Sequence, residues 1–472
     1  MARVGLLNFS DGRSFVNTDL REFVAQLERQ IAGHLRAQGH DIVTAEAIIE
    51  SNELAVMEAS RVAAGHPDVT IFNFPVWAFP NFAVLAATQT PSPILLFSNI
   101  SPQYPGMVGM LAAAGALDQT GRRYGRAWGD ITAPAVMARV ASWIAAGSAQ
   151  TGLRGRTFGR IGGRPMGMYT AVSDPAQWMA KFGIDVEEID QWEVVRRAAL
   201  VSPERARVGR LWLEQHAAEV RYDGRQLTPD LLERQVRSYH AVRELIDEWH
   251  LDFSGIKGQP ELTTHFATMD VTEAFLNDPY DWEGPKDTHV CATEADMDGA
   301  LTMQVLKHLS HTPVLFADLR CYDRDNDVWD LCNSGQHATW YAARSEDPLE
   351  NMRRVHLLPE GFYFPAGGAS IHHVAAPGEV TLARLNRPNG RYRMQVIKGE
   401  IVNLDDETTQ RLMKASTYEW PHAFVRMAAA SEEVLDRFGA NHIHAVPGHH
   451  VEALRAFCHL TDIDFDGFGQ AT

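Results

Sequence analysis

The sequence predicts an α/β protein with two doubly wound parallel-sheet domains, followed by a C-terminal β-rich, barrel-like α+β domain. Before residue 318, apolar runs alternate with helical spacings, which is typical of parallel sheets covered by helices. A segment rich in glycine and arginine at 147–163 indicates a boundary. After residue 318, segments that alternate apolar and polar residues indicate antiparallel strands. We therefore expect domains at 1–155, 156–318 and 319–472.

Length and composition limit the classes of protein that this chain can belong to. With 472 residues, 45% hydrophobic and 22% charged, it can form two or three full cores. The formal net charge of −17 argues against binding to nucleic acid. The chain shows neither a signal-peptide pattern nor the roughly 18 consecutive apolar residues of a membrane span. Its four cysteines form no CxxC pair, so we expect reduced thiols and a cytoplasmic protein.

Strands and helices alternate in the first domain. The run RVGLLN predicts a strand at Arg3–Asn8, and Thr18 is the expected N-cap of a helix over 19–38. In that helix Phe23, Leu27 and Ile31 share one face, and Gly39 ends it. The remaining elements are strands at Asp41–Thr44, 68–73 and 93–98, with helices at 52–65 and 106–117.

The second domain ends in a unit with two acids. A helical segment is expected over 201–247, then a strand at 251–258. Apolar runs at 289–293 and 313–317 each end in a carboxylate, Glu294 and Asp318, and a helical spacing separates them. If the two runs are parallel neighbours, both acids lie at the carboxyl edge of the sheet, where open α/β sheets bind ligands.

Two convergent acids suggest a metal site, an acid/base pair, or both. The alternative is that both are ordinary loop carboxylates near helix N-termini. An imidazole would complete a mixed oxygen/nitrogen site that suits Mn²⁺, Mg²⁺ or Co²⁺ better than structural zinc. The residues alone leave the third ligand open, because several histidines lie in the last third of the chain: His337, His372, His373, His442, His444, His449 and His450.

The C-terminal domain is expected to consist of strands at 354–358, 379–385 and 392–404, followed by helices at 431–438 and 450–460. The two histidines of the run NHIH, His442 and His444, would point the same way if that run is extended.

Taken together, these motifs resemble the L-fucose isomerase/D-arabinose isomerase family of manganese-dependent ketol isomerases. The resemblance extends along the whole chain, although this chain is shorter than the long members. It rests on SDGR at the first turn, PVW, KGQ, EADMDG, LFAD, DLCNSGQH, FYF, WPHAF and GANH, and on segments 105–119, 128–130 and 163–169.

The resemblance implies roles for particular residues. Glu294, Asp318 and His442 would be the metal ligands, and Glu294 and Asp318 would also be catalytic. The substrate contacts would be Arg13, Trp77, Gln259, Ser334, Tyr363, Trp420 and Asn441. The family also implies a hexamer in which Trp77 reaches a neighbouring subunit's site.

The expected function is metal-dependent aldose–ketose isomerisation of a fucose- or arabinose-like sugar, by proton transfer between C1 and C2 through an enediol. Mn²⁺ is the expected cofactor, with Mg²⁺ or Co²⁺ as alternatives. Two other functions stay open: a metal-dependent aldolase or epimerase, which would share the intermediate, and a non-catalytic sugar-binding protein.

Overall fold

A computed structural model describes residues 1–334, 336–361 and 363–469. Gly335 and Phe362, which belong to two of the sequence motifs above, lie outside the described residues. Contacts divide the chain into two compact units, one of residues 1–154 with 452–464 and one of residues 155–451 with 465–472. The three-domain division of the sequence stays a prediction.

The N-terminal unit contains a five-stranded, all-parallel sheet with strand order β2-β1-β3-β4-β5. Apolar clusters on its two faces pack against α2, α3 and α4 on one side and α1 and α5 on the other, as predicted. The elements are β1 (Arg3–Asn8), α1 (Ser14–Ala37), β2 (Asp41–Thr44), α2 (Asn52–Ala64), β3 (Val69–Phe74), α3 (Pro80–Thr88), β4 (Ile94–Ser98), α4 (Gly106–Gln119), β5 (Gly125–Trp128) and α5 (Pro134–Leu153).

The first helix starts earlier than the sequence suggested. α1 begins at Ser14, so Thr18 lies inside it and the predicted N-cap is wrong. The turn before it is tied by side chains: Ser10 donates to the amide oxygen of Asn17, and Asn17 donates to the carbonyl of Asp11. These bonds fix the turn, and no side-chain hydrogen bond caps the helix at Arg13.

The second unit opens with a four-stranded parallel sheet of order β12-β9-β6-β7. Its elements are β6 (Thr157–Ile161), α6 (Pro175–Phe182), β7 (Asp185–Ile189), α7 (Gln191–Ala198), α8 (Pro203–His216), β8 (Glu219–Val220), α9 (Pro229–Trp249), β9 (Phe253–Ile256), α10 (Glu261–His265), α11 (Asp270–Asn277), β10 (Tyr280–Asp281), β11 (Gly284–Pro285), β12 (Cys291–Thr293) and α12 (Met297–Ser310). The single helical segment predicted over 201–247 is wrong, because Asp223 accepts three backbone N–H bonds and forms a turn between α8 and α9.

Six antiparallel strands close into a barrel in the order β17-β20-β13-β14-β19-β18, and β18 pairs back to β17. This confirms the predicted sheet-rich C-terminal region. The elements are β13 (Leu315–Asp323), β14 (Val328–Cys332), α13 (Pro348–Met352), β15 (His356–Pro359), β16 (Ala369–His372), β17 (Gly378–Asn386), β18 (Arg393–Ile401), α14 (Asp406–Ala415), β19 (His422–Met427), α15 (Ser431–Arg437), β20 (His442–Pro447), α16 (Val451–Thr461) and β21 (Asp464–Gly467).

The predicted acidic strand–helix–strand unit is partly wrong. β12, α12 and β13 occur in that order, but β12 belongs to the parallel sheet and β13 to the antiparallel barrel. Glu294 and Asp318 therefore do not follow neighbouring parallel strands. A short apolar run carries no signal for its partner, so the sequence could not separate the two arrangements.

Within the described residues, none of the helices combines the length and the apolar character that a membrane crossing needs.

Candidate active site

Glu294 lies on a strained turn at the carboxyl end of β12. Glu294 and Ala295 have φ angles of 59° and 49°, so two successive non-glycine residues occupy the left-handed region. Such conformations cost of order 1–3 kcal/mol each and cluster at functional sites. The turn packs against β9 at Gly255, where an added Cβ would lie 2.9 Å from Ala295 Cα. The absence of a side chain at Gly255 thus lets the turn approach the sheet.

Asp318 and His442 are direct neighbours in the barrel. β13 and β20 pair antiparallel, with Asp318 opposite His442 and Phe316 opposite His444. The ring of Phe316 lies 4.6 Å from that of His442 and 4.8 Å from that of His444, so both histidines face the same side, as the sequence suggested. The barrel register therefore places an acid and an imidazole side by side.

The three predicted ligands converge. The Nε2 atom of His442 lies 2.9 Å from Oε2 of Glu294 and 3.6 Å from Oδ1 of Asp318. Glu294 and His442 are buried, and Asp318 is partly exposed. The site thus joins the edge of the parallel sheet to the barrel within one unit.

Asp296 holds the other side of the His442 ring. Its Oδ2 accepts from Nδ1 of His442 at 2.6 Å and from Nη1 of Arg384 at 2.6 Å. Burial alone would raise the pKa of Asp296, but the charge of Arg384 and the bonds from Arg384 and His442 outweigh it and lower the pKa. Because Nδ1 donates to Asp296, Nε2 is directed at the two carboxylates.

The carboxylates of the site favour positive charge at its centre. Burial would lower the pKa of His442, but the bond to Asp296 and the nearby carboxylate of Glu294 raise it to about 10. Burial raises the pKa of Asp318, His442 opposes this, and the charge of Glu294 adds to it. Nε2 of His442 and Oε2 of Glu294 are buried atoms without a hydrogen-bond partner of good geometry. An imidazole nitrogen and two carboxylates are donors that fit a divalent cation with open positions.

Another group of potential metal ligands is more closely spaced than the predicted triad. In the described part of the chain, one ligand atom each from Asp330, Cys332 and His422 lie within 4.8 Å of one another, a spacing that the predicted triad does not meet. Both imidazole rings are held on two sides: His422 by Asp330 and the carbonyl of Thr417, each at 3.0 Å, and His442 by Asp296 and Glu294. We favour the triad because its Glu294 lies on the strained turn described above, and such strain clusters at functional sites.

Two predicted substrate residues lie near the triad: Asn441 is adjacent to His442 in sequence, and Gln259 follows a strand next to β12 in the parallel sheet. Asn441 precedes His442 and donates from Nδ2 to Oδ1 of Asp318 at 3.0 Å. Gln259 follows β9, the parallel neighbour of β12, so Gln259 and Glu294 follow adjacent strand ends. That pair, rather than Glu294 and Asp318, matches the sheet-edge argument made from the sequence.

Three further candidates belong to the same unit. Ser334 is buried two residues after the end of β14. Tyr363 is exposed, and its ring lies 6.0 Å from that of Trp420, which is buried just before β19. The guanidinium of Arg320 lies 5.4 Å from the ring of Trp420. Tyr363 and Trp420 are therefore neighbours, and a sugar-binding role for any of the three stays a prediction.

Arg13 and Trp77 lie in the N-terminal unit. Arg13 forms a bidentate pair with Asp11, through Nε at 2.9 Å and Nη2 at 2.5 Å. The bond from Arg13 lowers the pKa of Asp11 and outweighs burial. Trp77 is half-buried between β3 and α3. A contact of either residue with substrate stays a prediction.

Sequence reasoning missed Asp296, Arg384 and Gly255. Asp296 accepts from the backbone N–H of Gly299 and caps α12, a local pattern that the run EADMDG could have shown. Arg384 comes from β17, far along the chain, and no local signal points to its pairing. Gly255 is one of 36 glycines, and its packing against Ala295 is visible only in three dimensions.

Three family models match the chain in order. The first N-terminal domain of L-fucose isomerase matches residues 1–155, the second N-terminal domain matches 241–311, and the C-terminal domain matches 331–468. The chain belongs to the L-fucose isomerase family. Glu294 lies in the region that matches the second N-terminal domain, and His442 lies in the region that matches the C-terminal domain. Asp318 lies between these two regions.

Individual L-fucose isomerases are also similar to this chain. An L-fucose isomerase from Haemophilus influenzae is 24% identical over 91% of this chain and 85% of its own length. One from Vibrio vulnificus is 22% identical over 95% and 90%. One from Streptococcus pneumoniae is 25% identical over 63% and 62%. The similarity thus covers most of the chain, and family membership supports an isomerase.

The packing of the Glu294 turn against β9 generates a stability prediction. In Gly255→Ala the new Cβ would meet Ala295 Cα at 2.9 Å and the carbonyl oxygen of Ala292 at 3.2 Å, and both are backbone atoms. We expect a loss of about 1–3 kcal/mol in the free energy of unfolding, measured by urea denaturation.

The matched control is Gly33→Ala in α1, where no atom lies within 4 Å of the added Cβ. It should stabilise the helix by about 0.5–1 kcal/mol. A Gly255→Ala protein as stable as the wild type would contradict the close approach of the turn.

Proposed function

We propose that this protein is a metal-dependent aldose–ketose isomerase that acts on a fucose- or arabinose-like sugar. The observation that carries the proposal is the meeting of Glu294, Asp318 and His442 in a chain of the L-fucose isomerase family. The reaction moves a proton between C1 and C2 and passes through an enediol. Such a proton is weakly acidic, so the site must both remove it and stabilise the negative charge that develops on the sugar oxygens.

Glu294 and Asp318 would handle the proton. The two carboxylates come from different sheets and face one imidazole, so a sugar carbon chain between them could lose a proton to one carboxylate and regain it on the neighbouring carbon. Asn441 donates to Asp318 and would hold that carboxylate in one orientation. The strained turn would do the same for Glu294.

Glu294, Asp318 and His442 would hold the cation, and Mn²⁺ is the proposed metal. Bound there, a divalent cation would supply Lewis-acid stabilisation of the sugar oxygens O1 and O2. Asp296 and Arg384 would keep the His442 ring oriented, since Asp296 accepts from Nδ1. Mg²⁺ or Co²⁺ could take the same donor set.

The remaining candidates would bind the rest of the sugar. Gln259, Ser334 and Asn441 offer hydrogen bonds to hydroxyls. Tyr363 and Trp420 would form an aromatic wall. We further propose a hexamer in which Arg13 and Trp77 complete the substrate site and Trp77 is supplied by a neighbouring subunit.

A metal-dependent aldolase or epimerase is the second candidate, because it would use the same enediolate and metal. Family membership favours the isomerase over both this and a sugar-binding protein without activity. The products from an aldose substrate discriminate between them: the isomerase should give a ketose of unchanged carbon number with solvent deuterium at C1, an epimerase should return an aldose with deuterium at C2, and an aldolase should give two shorter fragments.

The first test is a substrate and metal screen. Protein stripped with EDTA should convert neither L-fucose nor D-arabinose, and Mn²⁺ should restore ketose formation, measured by chromatography of the sugars. Loss of the cation leaves three buried or half-buried donors without their shared partner, so the thermal melting midpoint should rise when Mn²⁺ is added back. Full activity in the stripped protein would contradict metal dependence.

The second test is Glu294→Gln. This isosteric change removes the carboxylate that would take the proton and one metal donor, so kcat should fall by at least about 10³-fold, measured as ketose formation. Circular dichroism should show an intact fold. Exposed Glu346→Gln is the matched control and should keep wild-type kcat. Retained turnover in Glu294→Gln would exclude Glu294 as the catalytic group.

The third test concerns the shared site. Trp77→Ala and Glu294→Gln should each be nearly inactive alone. When the two variants are dissociated and reassembled together, some sites would combine an intact Trp77 from one subunit with an intact Glu294 from another. Activity should then reappear and depend on the mixing ratio. No recovery in verified mixed oligomers would contradict the supply of Trp77 by a neighbour.

A further inference from the structure

Two buried carboxyl groups face each other beside the predicted aromatic wall. Asp270 begins α11, and Glu360 directly follows β15. Both side chains are buried. Oδ2 of Asp270 and Oε1 of Glu360 accept no hydrogen bond from an N–H group or from a hydroxyl group. A buried acceptor without a donor is strongly unfavourable, so two of them on facing carboxyl groups require an explanation.

One proton shared by Asp270 and Glu360 explains the two unpaired oxygens. Burial raises the pKa of Asp270 well above its usual range, and the charge of Glu360 raises it further. Burial likewise raises the pKa of Glu360, although its hydrogen bond with Asp270 opposes the rise. Two adjacent buried carboxylates cannot both be ionised, and a proton between them satisfies both oxygens. The other oxygen of Asp270 accepts from the hydroxyl of Thr268.

The free side of Glu360 holds the indole of Trp420. Oε2 of Glu360 accepts from Nε1 of Trp420 at 3.1 Å and from the backbone N–H of Gly361 at 3.1 Å. Trp420 in turn stacks on Phe364, with ring centroids 6.1 Å apart and planes at 19°. One carboxyl group therefore fixes both the indole plane and the start of the loop that carries Tyr363.

We propose that Asp270 and Glu360 share a single proton and act as a positioning pair that fixes the indole of Trp420 as a wall of the sugar site. The pair itself rests on contacts within the protein, and only its effect on sugar binding rests on the proposed isomerase function. The shared proton leaves the pair with a single negative charge, which the indole N–H and the Gly361 N–H stabilise.

The effect on the sugar is tested by a double-mutant cycle. Glu360→Ala removes the acceptor of the indole N–H and should raise KM for the sugar about tenfold, while kcat changes less. Glu360→Gln should stay near wild-type KM, because its amide oxygen can accept the same bond. Exposed Glu346→Ala is the control.

Trp420→Phe deletes the indole N–H and closes the cycle. Glu360→Ala combined with Trp420→Phe should be no worse than Trp420→Phe alone, since the two groups act through one bond. Multiplicative effects of the two changes on KM would overturn the positioning role, and so would a tenfold loss in Glu360→Gln.

Two measurements on the protein need no turnover. In Asp270→Asn an amide N–H can replace the shared proton, so the infrared difference spectrum against wild type should show loss of one carboxylic-acid C=O band. Glu346→Gln should show no such loss. An unchanged acid band in Asp270→Asn would overturn the shared proton.

The second measurement follows the indole ¹⁵N–¹H signal of Trp420, assigned by its loss in Trp420→Phe. It should shift in Glu360→Ala and stay close to wild type in Glu360→Gln. An unshifted signal in a folded Glu360→Ala protein would overturn the contact. If the protein has no isomerase activity, only the KM cycle is lost, so failure of the pair and failure of the proposed function can be told apart.

Discussion

The arrangement of the site depends on the contacts that the two ring nitrogens of His442 make. Its Nδ1 is fixed by Asp296 from the start of α12, and its Nε2 faces Glu294 from the parallel sheet and Asp318 from the barrel. Asp296 and Arg384 form an ion pair in which neither side chain is exposed. A buried ion pair is weak evidence for stability, because desolvation offsets the attraction. Its clearer consequence here is geometric, since it fixes the ring that joins two sheets.

The backbone imposes a second constraint on the same point. Glu294 and Ala295 both adopt left-handed angles, and this is tolerated because Gly255 leaves room for the turn against β9. A helix cap immediately follows, as Asp296 accepts from the N–H of Gly299. Within three residues the chain therefore directs the carboxylate of Glu294 to Nε2 of His442 and that of Asp296 to Nδ1 of the same ring. The cap, the ion pair and the bond to His442 hold the chain directly after the turn in place.

The sequence patterns predicted those strands and helices whose signal lies within a single element. Continuous apolar runs marked β1 and β3, and helical spacing marked α2 and α12, because each signal lies within one element. The pairing of Asp318 with His442 is different: the barrel register joins residues far apart in sequence, and no periodicity records it. The residues alone could not choose among the histidines, and the family resemblance selected His442. Asp296, by contrast, belonged to a readable capping pattern and was overlooked beside Glu294.

The unit buries many acids, and it neutralises them in two ways. Asp296 is opposed by Arg384 and His442, which lower its pKa despite burial. Asp270 and Glu273 are buried near other carboxylates, and burial raises the pKa of both well above the usual range. A carboxyl group that faces a fixed positive charge stays ionised and can bind a cation, whereas one that faces another carboxyl group keeps a proton and can donate it. Two buried acids can therefore each hold an aromatic ring in different ways: Asp296 as the ionised partner of the His442 imidazole, and Glu360, in the proposed pair, as a proton-sharing partner beside the Trp420 indole.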